Sequence, residues 1–176
     1  PEDVRRARAR GEFIGASGLI YPWLHTDEAY TQPFAIPAHW QLIRVIDPSA
    51  AGTTAVLWVA IDPYSNLWPY REYYERGRSV SEHCHHIQQL SGQEAYVLDL
   101  IDGQSLAASG GANLETVYHQ YLTHLNAGSY STSPLIPFTD KKIEDGIFSV
   151  WEYMRAAESY VAGVEPEHPF LRPFSN

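Results

Sequence analysis

One run of seven consecutive apolar residues, AVLWVAI at 55–61, constrains the possible folds of this 176-residue chain more than any other feature. It is rich in β-branched and aromatic residues and follows a turn-like loop, a pattern typical of a strand buried on both faces. LIRVID at 42–47 predicts a strand before it, and LWPYREYYE at 67–75 predicts a strand after it. We therefore expect an antiparallel three-strand meander, in which Pro69 favours an edge position for the third strand.

A helix and a further strand are predicted after the meander. Ser79 and Glu82 have the spacing of a capping box, and apolar residues at helical spacing follow over 80–90. EAYVLDLID at 94–102 then indicates a strand. Because a helix precedes it, this strand can cross over and pair in parallel with the first strand.

Two more helices complete the expected elements. Asn113 is the predicted N-cap of one, and the other spans about 142–162 with Gly163 as its C-cap. The inward face of the last helix is predicted to carry Ile143, Ile147, Val150, Trp151, Met154 and Val161. HPFLRPF at 168–174 reads as a final strand. The fold class is α/β, with a mixed central sheet, an antiparallel meander and flanking helices.

Charge, motifs and cysteine content restrict the classes of function that the chain can have. The net charge is −9 although four of the twelve basic residues lie in the first ten positions, so a DNA-handling role would need positive charge from metal ions or another domain. Neither a phosphate-binding G-x-x-x-x-G-K-[ST] motif nor a G-x-S-x-G nucleophile motif occurs. A single cysteine, Cys84, and the lack of a leader or a bilayer-length apolar run lead us to expect a cytoplasmic protein.

Two aspartates are the candidate site residues. Asp47 and Asp102 each end a predicted strand and are followed by Pro48 and Gly103. If the strands are parallel neighbours, the two carboxylates converge and offer hard oxygen ligands for Mg²⁺ or Mn²⁺, which can activate water in phosphodiester hydrolysis. The alternative is that each aspartate only begins a turn.

Other acidic and histidine residues compete for a role. Asp99 would fall in mid-strand, where it must be partnered or lie on a wet face, so Asp102 is preferred as the second ligand. Asp62 is expected to be a structural turn residue. The run from Glu82 to His86 is interpreted as a helix with solvated histidines rather than a zinc site. Asp140 is a third metal-ligand candidate, with Lys141 and Lys142 as phosphate contacts, although acids there also suit a helix N-terminus.

The chain resembles the phage large terminase family. The likeness rests on a Gly-Glu-Phe stretch, then GLIYP, then PFAIPAHW immediately before the strand that ends in Asp47, and later on KKIEDGIFSVWEYM. It implies an RNase H-like nuclease domain over 41–176 with its C-terminus truncated, and a linker or cover segment over 1–40 that follows an ATPase domain. Gly52, Thr53 and Thr54 stand where many members of that family carry another aspartate.

The resemblance implies a metal-dependent endonuclease that cuts concatemeric double-stranded viral DNA during genome packaging in the host bacterial cytoplasm. It implies Asp47 and Asp102 as metal ligands, and as partners DNA, the ATPase domain of the same subunit, the portal protein and the small terminase subunit. Two alternatives stay open. One is a non-catalytic docking module that uses an aromatic surface of Tyr21, Trp23, Phe34 and Trp40, and the other is a different RNase H-like nuclease such as a resolvase or transposase.

Overall fold

The computed structural model describes residues 20–49, 52–106, 116–127, 133–138, 143–166 and 169–175. Its described strands form one five-stranded mixed sheet with the order β3-β2-β1-β4-β5. Their bounds are β1 Gln41–Asp47, β2 Thr53–Ile61, β3 Leu67–Arg76, β4 Leu98–Asp102 and β5 Leu135–Phe138.

The pairing of the strands confirms the predicted mixed sheet. β1 pairs antiparallel with β2, and β2 pairs antiparallel with β3, so the meander is present. β4 pairs in parallel with β1 on the other side. β3 lies at one end of the strand order, as expected from Pro69, because proline has no backbone N–H to donate to a neighbouring strand.

Two strands differ from expectation. β4 begins at Leu98 rather than at 94, and Glu94 instead accepts hydrogen bonds from Arg71 at 2.8 and 3.0 Å. β5 was missed because it is only four residues long and contains Pro137, which lowers strand propensity. It pairs in parallel with β4, where an outer position tolerates the proline.

Three α-helices lie in the described part of the chain. α1 (Val80–Ser91) begins with the predicted capping box, in which Ser79 Oγ accepts from the Glu82 amide and the Glu82 side chain accepts from the Ser79 amide. α2 (Val117–Asn126) is capped by Thr116, while Asn113 lies outside the described residues. α3 (Ile143–Val161) agrees with the predicted last helix to within a residue at each end.

The main core lies between α1, α2 and one face of the sheet. The sheet contributes Ile46, Val56, Trp58, Tyr73 and Ile101, and the two helices contribute Val80, Cys84, Ile87, Tyr121 and Leu125. The opposite face is more open, since Leu57 is 42% exposed and Val45 38% exposed. The expectation that the 55–61 run is buried on both faces is therefore wrong at Leu57.

A second core involves α3 and the aromatic segment before β1. Ala156 and Ala157 of α3 belong to a cluster with Ala60, Trp68 and Phe170, and Trp23 and Trp40 pack against it. Met154 is buried as predicted, but Trp151 and Val161 are each 39% exposed, so their predicted inward orientation is wrong. No helix in the described ranges is both long and apolar enough to cross a membrane.

The C-terminal segment does not form the predicted last strand. Its described residues make only isolated bridges, from Leu171 to Leu67 and from Phe174 to Thr31. The Phe174 amide donates to the Pro69 carbonyl at 2.8 Å, which ties the segment to the free side of β3. This segment thus lies along the open edge of β3, and Thr31 in turn exchanges backbone hydrogen bonds with it.

Candidate metal-binding site

The parallel pairing of β1 and β4 brings the two predicted site residues together. The paired register ends with Ile46 opposite Ile101, and Asp47 and Asp102 are the next residues along the two strands. Paired strands lie about 5 Å apart, so both carboxylates stand at the same carboxyl edge of the sheet. Asp47 is exposed and Asp102 is half-buried, which leaves the pair open to a ligand from solvent.

Electrostatics at this edge are unfavourable for two free carboxylates. Partial burial raises the pKa of Asp47, and the negative charge of Asp102 raises it further. The second contribution requires the two groups to lie within electrostatic reach of each other. A cation between them would replace this repulsion by attraction.

Short loops fix the backbone beside each carboxylate. The Gln104 amide donates to Asp102 Oδ1 at 3.1 Å, a local turn that orients the side chain. After β1, the Ser49 amide donates to Thr54 Oγ1 at 3.2 Å and the Gly52 amide donates to Ser49 Oγ at 2.7 Å. A Cβ on Gly52 would lie 2.7 Å from that same Ser49 oxygen, so any other residue at position 52 would require the Ser49 hydroxyl to move.

Asp99, the competing candidate, has a structural role. It is 1% exposed, and it accepts from Arg44 Nε at 2.6 Å and Arg44 Nη2 at 2.7 Å in a bidentate ion pair. Ser133 Oγ also donates to it. Because its oxygens are already occupied by buried donors, Asp99 is a poor metal ligand, which leaves Asp102 as the better candidate on β4.

Asp62 is also structural, as predicted. Its carboxylate accepts from the Tyr64 and Asn66 amides, from Asn66 Nδ2 and from Trp68 Nε1, which closes the β2–β3 turn. Burial acts to raise the pKa of Asp62, but these hydrogen bonds outweigh it and the net pKa is lowered. The turn is at the opposite end of the strands from Asp47.

The expectation of solvated histidines on α1 is wrong for His83. This side chain is fully buried, and Tyr73 Oη lies 2.7 Å from its Nδ1. Burial lowers the pKa of His83, so the neutral ring is favoured. Tyr73 of the sheet pairs with one ring nitrogen of this buried histidine, a contact that helical spacing alone does not reveal, while among the described residues Nε2 has no hydrogen-bond partner.

The third ligand candidate cannot be placed. Asp140 and its neighbours Lys141 and Lys142 lie outside the described residues, whereas Asp145 is exposed on the first turn of α3. Across the described part of the chain, no group of three or more acidic, histidine or cysteine side chains is arranged to hold a metal ion. The described site therefore consists of two carboxylates.

Two carboxylates at an open edge suit a hard divalent cation. Mg²⁺ is often held by one or two carboxylates, with waters and substrate phosphate oxygens completing its octahedral shell. The carboxylates of Asp47 and Asp102 give a donor set of this kind. The described residues fit one such ion, and a second ion would need further ligands.

Comparisons with known proteins match this fold to one group of solved structures. No protein-family model matches the sequence, and no curated protein matches it. The nuclease domain of the P22 large terminase aligns with a TM-score of 0.57 at 16% identity, over 89% of this chain and 73% of that chain. The nuclease of the large terminase from thermophilic phage G20c aligns with a TM-score of 0.53 at 10% identity, over 89% and 75%.

A longer structure gives the same result. The large terminase of another thermophilic bacteriophage, solved in complex with ADP, aligns with a TM-score of 0.60 at 12% identity. The alignment covers 99% of this chain but only 41% of that one, so the present chain spans less than half of that protein. The mixed sheet with flanking helices matches these domains, and the RNase H-like fold class is confirmed. The chain has the fold of a phage large terminase nuclease domain.

Proposed function

We propose that this chain is a metal-dependent endonuclease domain that cleaves double-stranded DNA during viral genome packaging. The observation that carries the proposal is the pairing of Asp47 with Asp102 at the carboxyl edge of β1 and β4, where the charge of one raises the pKa of the other. Strand ends of open α/β sheets are where ligands commonly bind. The shared fold with terminase nuclease domains favours DNA as the substrate.

Asp47 and Asp102 would hold the cation, Mg²⁺ or Mn²⁺, through their carboxylate oxygens. When bound there, such an ion lowers the pKa of a coordinated water and neutralises charge on the phosphoryl oxygens. The role of the chain is to hold the two carboxylates side by side. The Gln104 amide and the hydrogen bonds of Ser49 would keep them in place.

Asp140 is proposed as a further ligand. It follows Phe138 by two residues, and Phe138 is the β5 residue that pairs with Asp102. Lys141 and Lys142 would then supply positive charge for phosphate in a chain whose net charge is −9. In the whole protein we propose an ATPase domain ahead of this domain, with the portal protein and the small terminase subunit as partners.

The docking-module alternative loses support from the aromatic segment. Trp23 and Trp40 pack against the core that Ala60 and Trp68 form, and the Phe34 ring lies 5.4 Å from the Trp68 ring. Aromatic residues used in this way cover the domain itself rather than offering a free contact surface. A structure-specific cleavage assay on branched DNA would separate a terminase-type activity from that of a resolvase.

Cleavage of plasmid DNA with Mn²⁺, Mg²⁺ or EDTA tests the proposal directly. We expect nicking and linearisation that require the metal, and an Asp47→Asn variant with activity lower by at least about 100-fold, since a carboxylate that would hold the charge-stabilising ion is lost. Asp27→Asn is the matched control, because Asp27 is an exposed aspartate in a short 3-10 turn before β1. Equal cleavage by the Asp47 and Asp27 variants would contradict the assignment.

A further inference from the structure

The register of the sheet places the two site carboxylates in one cross-strand row with two exposed aromatic residues. Ala55 of β2 pairs with Asp47 on one side and with Tyr74 on the other. Phe138 of β5 pairs with Asp102. The row crosses all five strands in the order Tyr74, Ala55, Asp47, Asp102, Phe138. Adjacent strands lie about 5 Å apart, so an aromatic ring stands on each side of the carboxylate pair.

The side chains of this row face the open side of the sheet. Side chains alternate between the two faces along a strand. The residues just before the row on three of the strands, Ile46, Ile101 and Tyr73, belong to the main core. Phe138 and Tyr74 accordingly point away from that core, and both are exposed. Their rings can therefore contact a ligand that reaches the carboxylates.

Aromatic rings beside an open site suit a nucleobase. Proteins that bind single-stranded nucleic acid stack successive bases on such rings. Inside a duplex the faces of a base are covered by its neighbours, so stacking on a protein ring needs bases that are unpaired or turned out of the stack. A pair of rings around a cleavage site therefore favours DNA that is opened at the cut.

Positive charge lies on the same face. Arg76 is exposed and follows Tyr74 by two residues on β3, so its side chain projects from the same side of the sheet. β3 runs in the direction of β1, because each is antiparallel to β2. Arg76 therefore lies at the edge of the sheet where β1 ends with Asp47. A guanidinium there can bind a phosphate of a strand whose base stacks on Tyr74.

We propose that a DNA strand opened from its duplex crosses this row, with bases stacked on Phe138 and Tyr74 and a phosphate of the intervening backbone held at the candidate metal site. This inference rests on the proposed function and names the form of DNA that the site takes. The two rings and the Arg76 guanidinium position the strand, and none of them binds the ion.

Binding of short fluorescein-labelled DNA, followed by anisotropy in EDTA at low salt, tests the inference without cleavage. The probes are a single strand, its duplex, and the duplex with a central unpaired bubble. Phe138→Ala and Tyr74→Ala each remove one ring. The chain offers a matched control for each. Phe148 on α3 is 58% exposed against 55% for Phe138, and Tyr64 is exposed in the turn at the opposite end of β2 and β3.

We expect the parent chain to bind the single strand and the bubble more tightly than the duplex. Each alanine variant in the row should weaken single-strand binding by roughly 5–150-fold, the effect of losing one stacked base, and change duplex binding little. Phe138→Trp should bind as the parent does, since its larger ring still stacks. Phe148→Ala and Tyr64→Ala should leave all three affinities unchanged.

The arginine is tested by salt. Arg76→Gln should make the fall of log affinity with log salt shallower by about 0.7 for the single strand, the contribution of one phosphate contact. An unchanged slope would remove Arg76 from the proposed path of the strand.

The outcomes separate this inference from the proposed function. Equal affinity of the parent chain for the three DNAs overturns the inference, as does single-strand binding by Phe138→Ala that matches the parent or the Phe148→Ala control. Should Phe138→Ala fail to fold, Tyr74→Ala at the exposed sheet edge decides the same question. If Asp47→Asn cuts plasmid as the parent does, the proposed function fails and the inference falls with it. Normal single-strand binding by both alanine variants in the row removes only the inference.

Discussion

β1 and β4 carry two facing pairs of polar residues, and the pairs differ in what surrounds their carboxylates. Arg44 and Asp99 lie in the middle of the strands, are each 1% exposed and have opposite charges in bidentate contact. Asp47 and Asp102 lie at the strand ends, open to solvent, with like charges. The first pair neutralises itself, whereas the second leaves negative charge where a cation can reach it.

The difference distinguishes an aspartate that stabilises the fold from aspartates that could bind a ligand, although all lie on the same two strands. A buried carboxylate must have a partner, and once it has one its oxygens are not free for a ligand. A carboxylate beside another carboxylate has a raised pKa, and a cation bound next to it would stabilise its charged form. Four single substitutions test this contrast.

The largest effect is expected for Arg44→Met, which leaves Asp99 buried without its partner. The free energy of unfolding should fall by about 3–5 kcal/mol, the usual cost of breaking a buried ion pair. Urea denaturation at neutral pH measures it. The double variant Arg44→Met, Asp99→Leu should recover much of the loss, since no charge is then left buried. A single variant as stable as the parent would show that the pair is not the structural element we describe.

An intermediate effect is expected for Glu94→Gln. Arg71 and Glu94 form an ion pair of opposite charges like the mid-strand pair, but each side chain is 30% exposed. Losing the charged hydrogen bonds from Arg71 and from Tyr96 should lower the free energy of unfolding by about 1–3 kcal/mol at neutral pH.

The pH dependence of this effect follows from the pKa of Glu94. Burial acts to raise it, but the hydrogen bonds from Arg71 and Tyr96 outweigh burial, and the net pKa is lowered from 4.5. The contribution of the charge is therefore present above the unfolded value and is lost as pH falls through the folded one. Denaturation of parent and variant at neutral and acidic pH should show that the difference between their free energies of unfolding becomes smaller in acid. A difference independent of pH would mean that charge is not its cause.

The smallest effect, of opposite sign, is expected for Asp47→Asn. Removing one of two like charges on adjacent strands should raise the free energy of unfolding by about 0.2–1 kcal/mol at neutral pH. The folded pKa of Asp47 is raised from 3.8. The charged form of Asp47 therefore destabilises the fold fully above the folded pKa, and this destabilisation is absent below the unfolded pKa. Asp27→Asn should leave the stability unchanged.

The same repulsion can be observed without unfolding. In Asp102→Asn the pKa of Asp47 should fall, because the negative charge that raises it is gone. Carboxyl carbon NMR follows the titration of Asp47 in metal-free protein. An unchanged pKa would place the two carboxylates too far apart to share a cation.

Local patterns predicted much of the fold. The meander, the capping box of α1 and the bounds of α3 follow from periodicity and turn chemistry within each segment. Asp47 and Asp102 came from the rule that strand ends collect ligands, and the parallel pairing of β1 with β4 placed them side by side.

The features that sequence did not reveal depend on distant partners. Asp99 was expected to need a partner, but only the register of two strands distant in the chain identifies it as Arg44. The burial of His83 depends on Tyr73 from the sheet. β5 lacked a local signal because a four-residue strand with a proline forms only against an existing neighbour.

The parallel register of β1 and β4 also sets the order in which the domain can assemble. Arg44 and Asp99 are 55 residues apart in the chain, and the two site carboxylates are separated by the same interval. Contacts within the meander close short loops. The pairing of β1 with β4 requires the crossover through α1 and has a larger loop-closure entropy cost. During synthesis the meander can therefore form while β4 is still absent. The domain acquires its paired carboxylates only when that late, long-range contact is made.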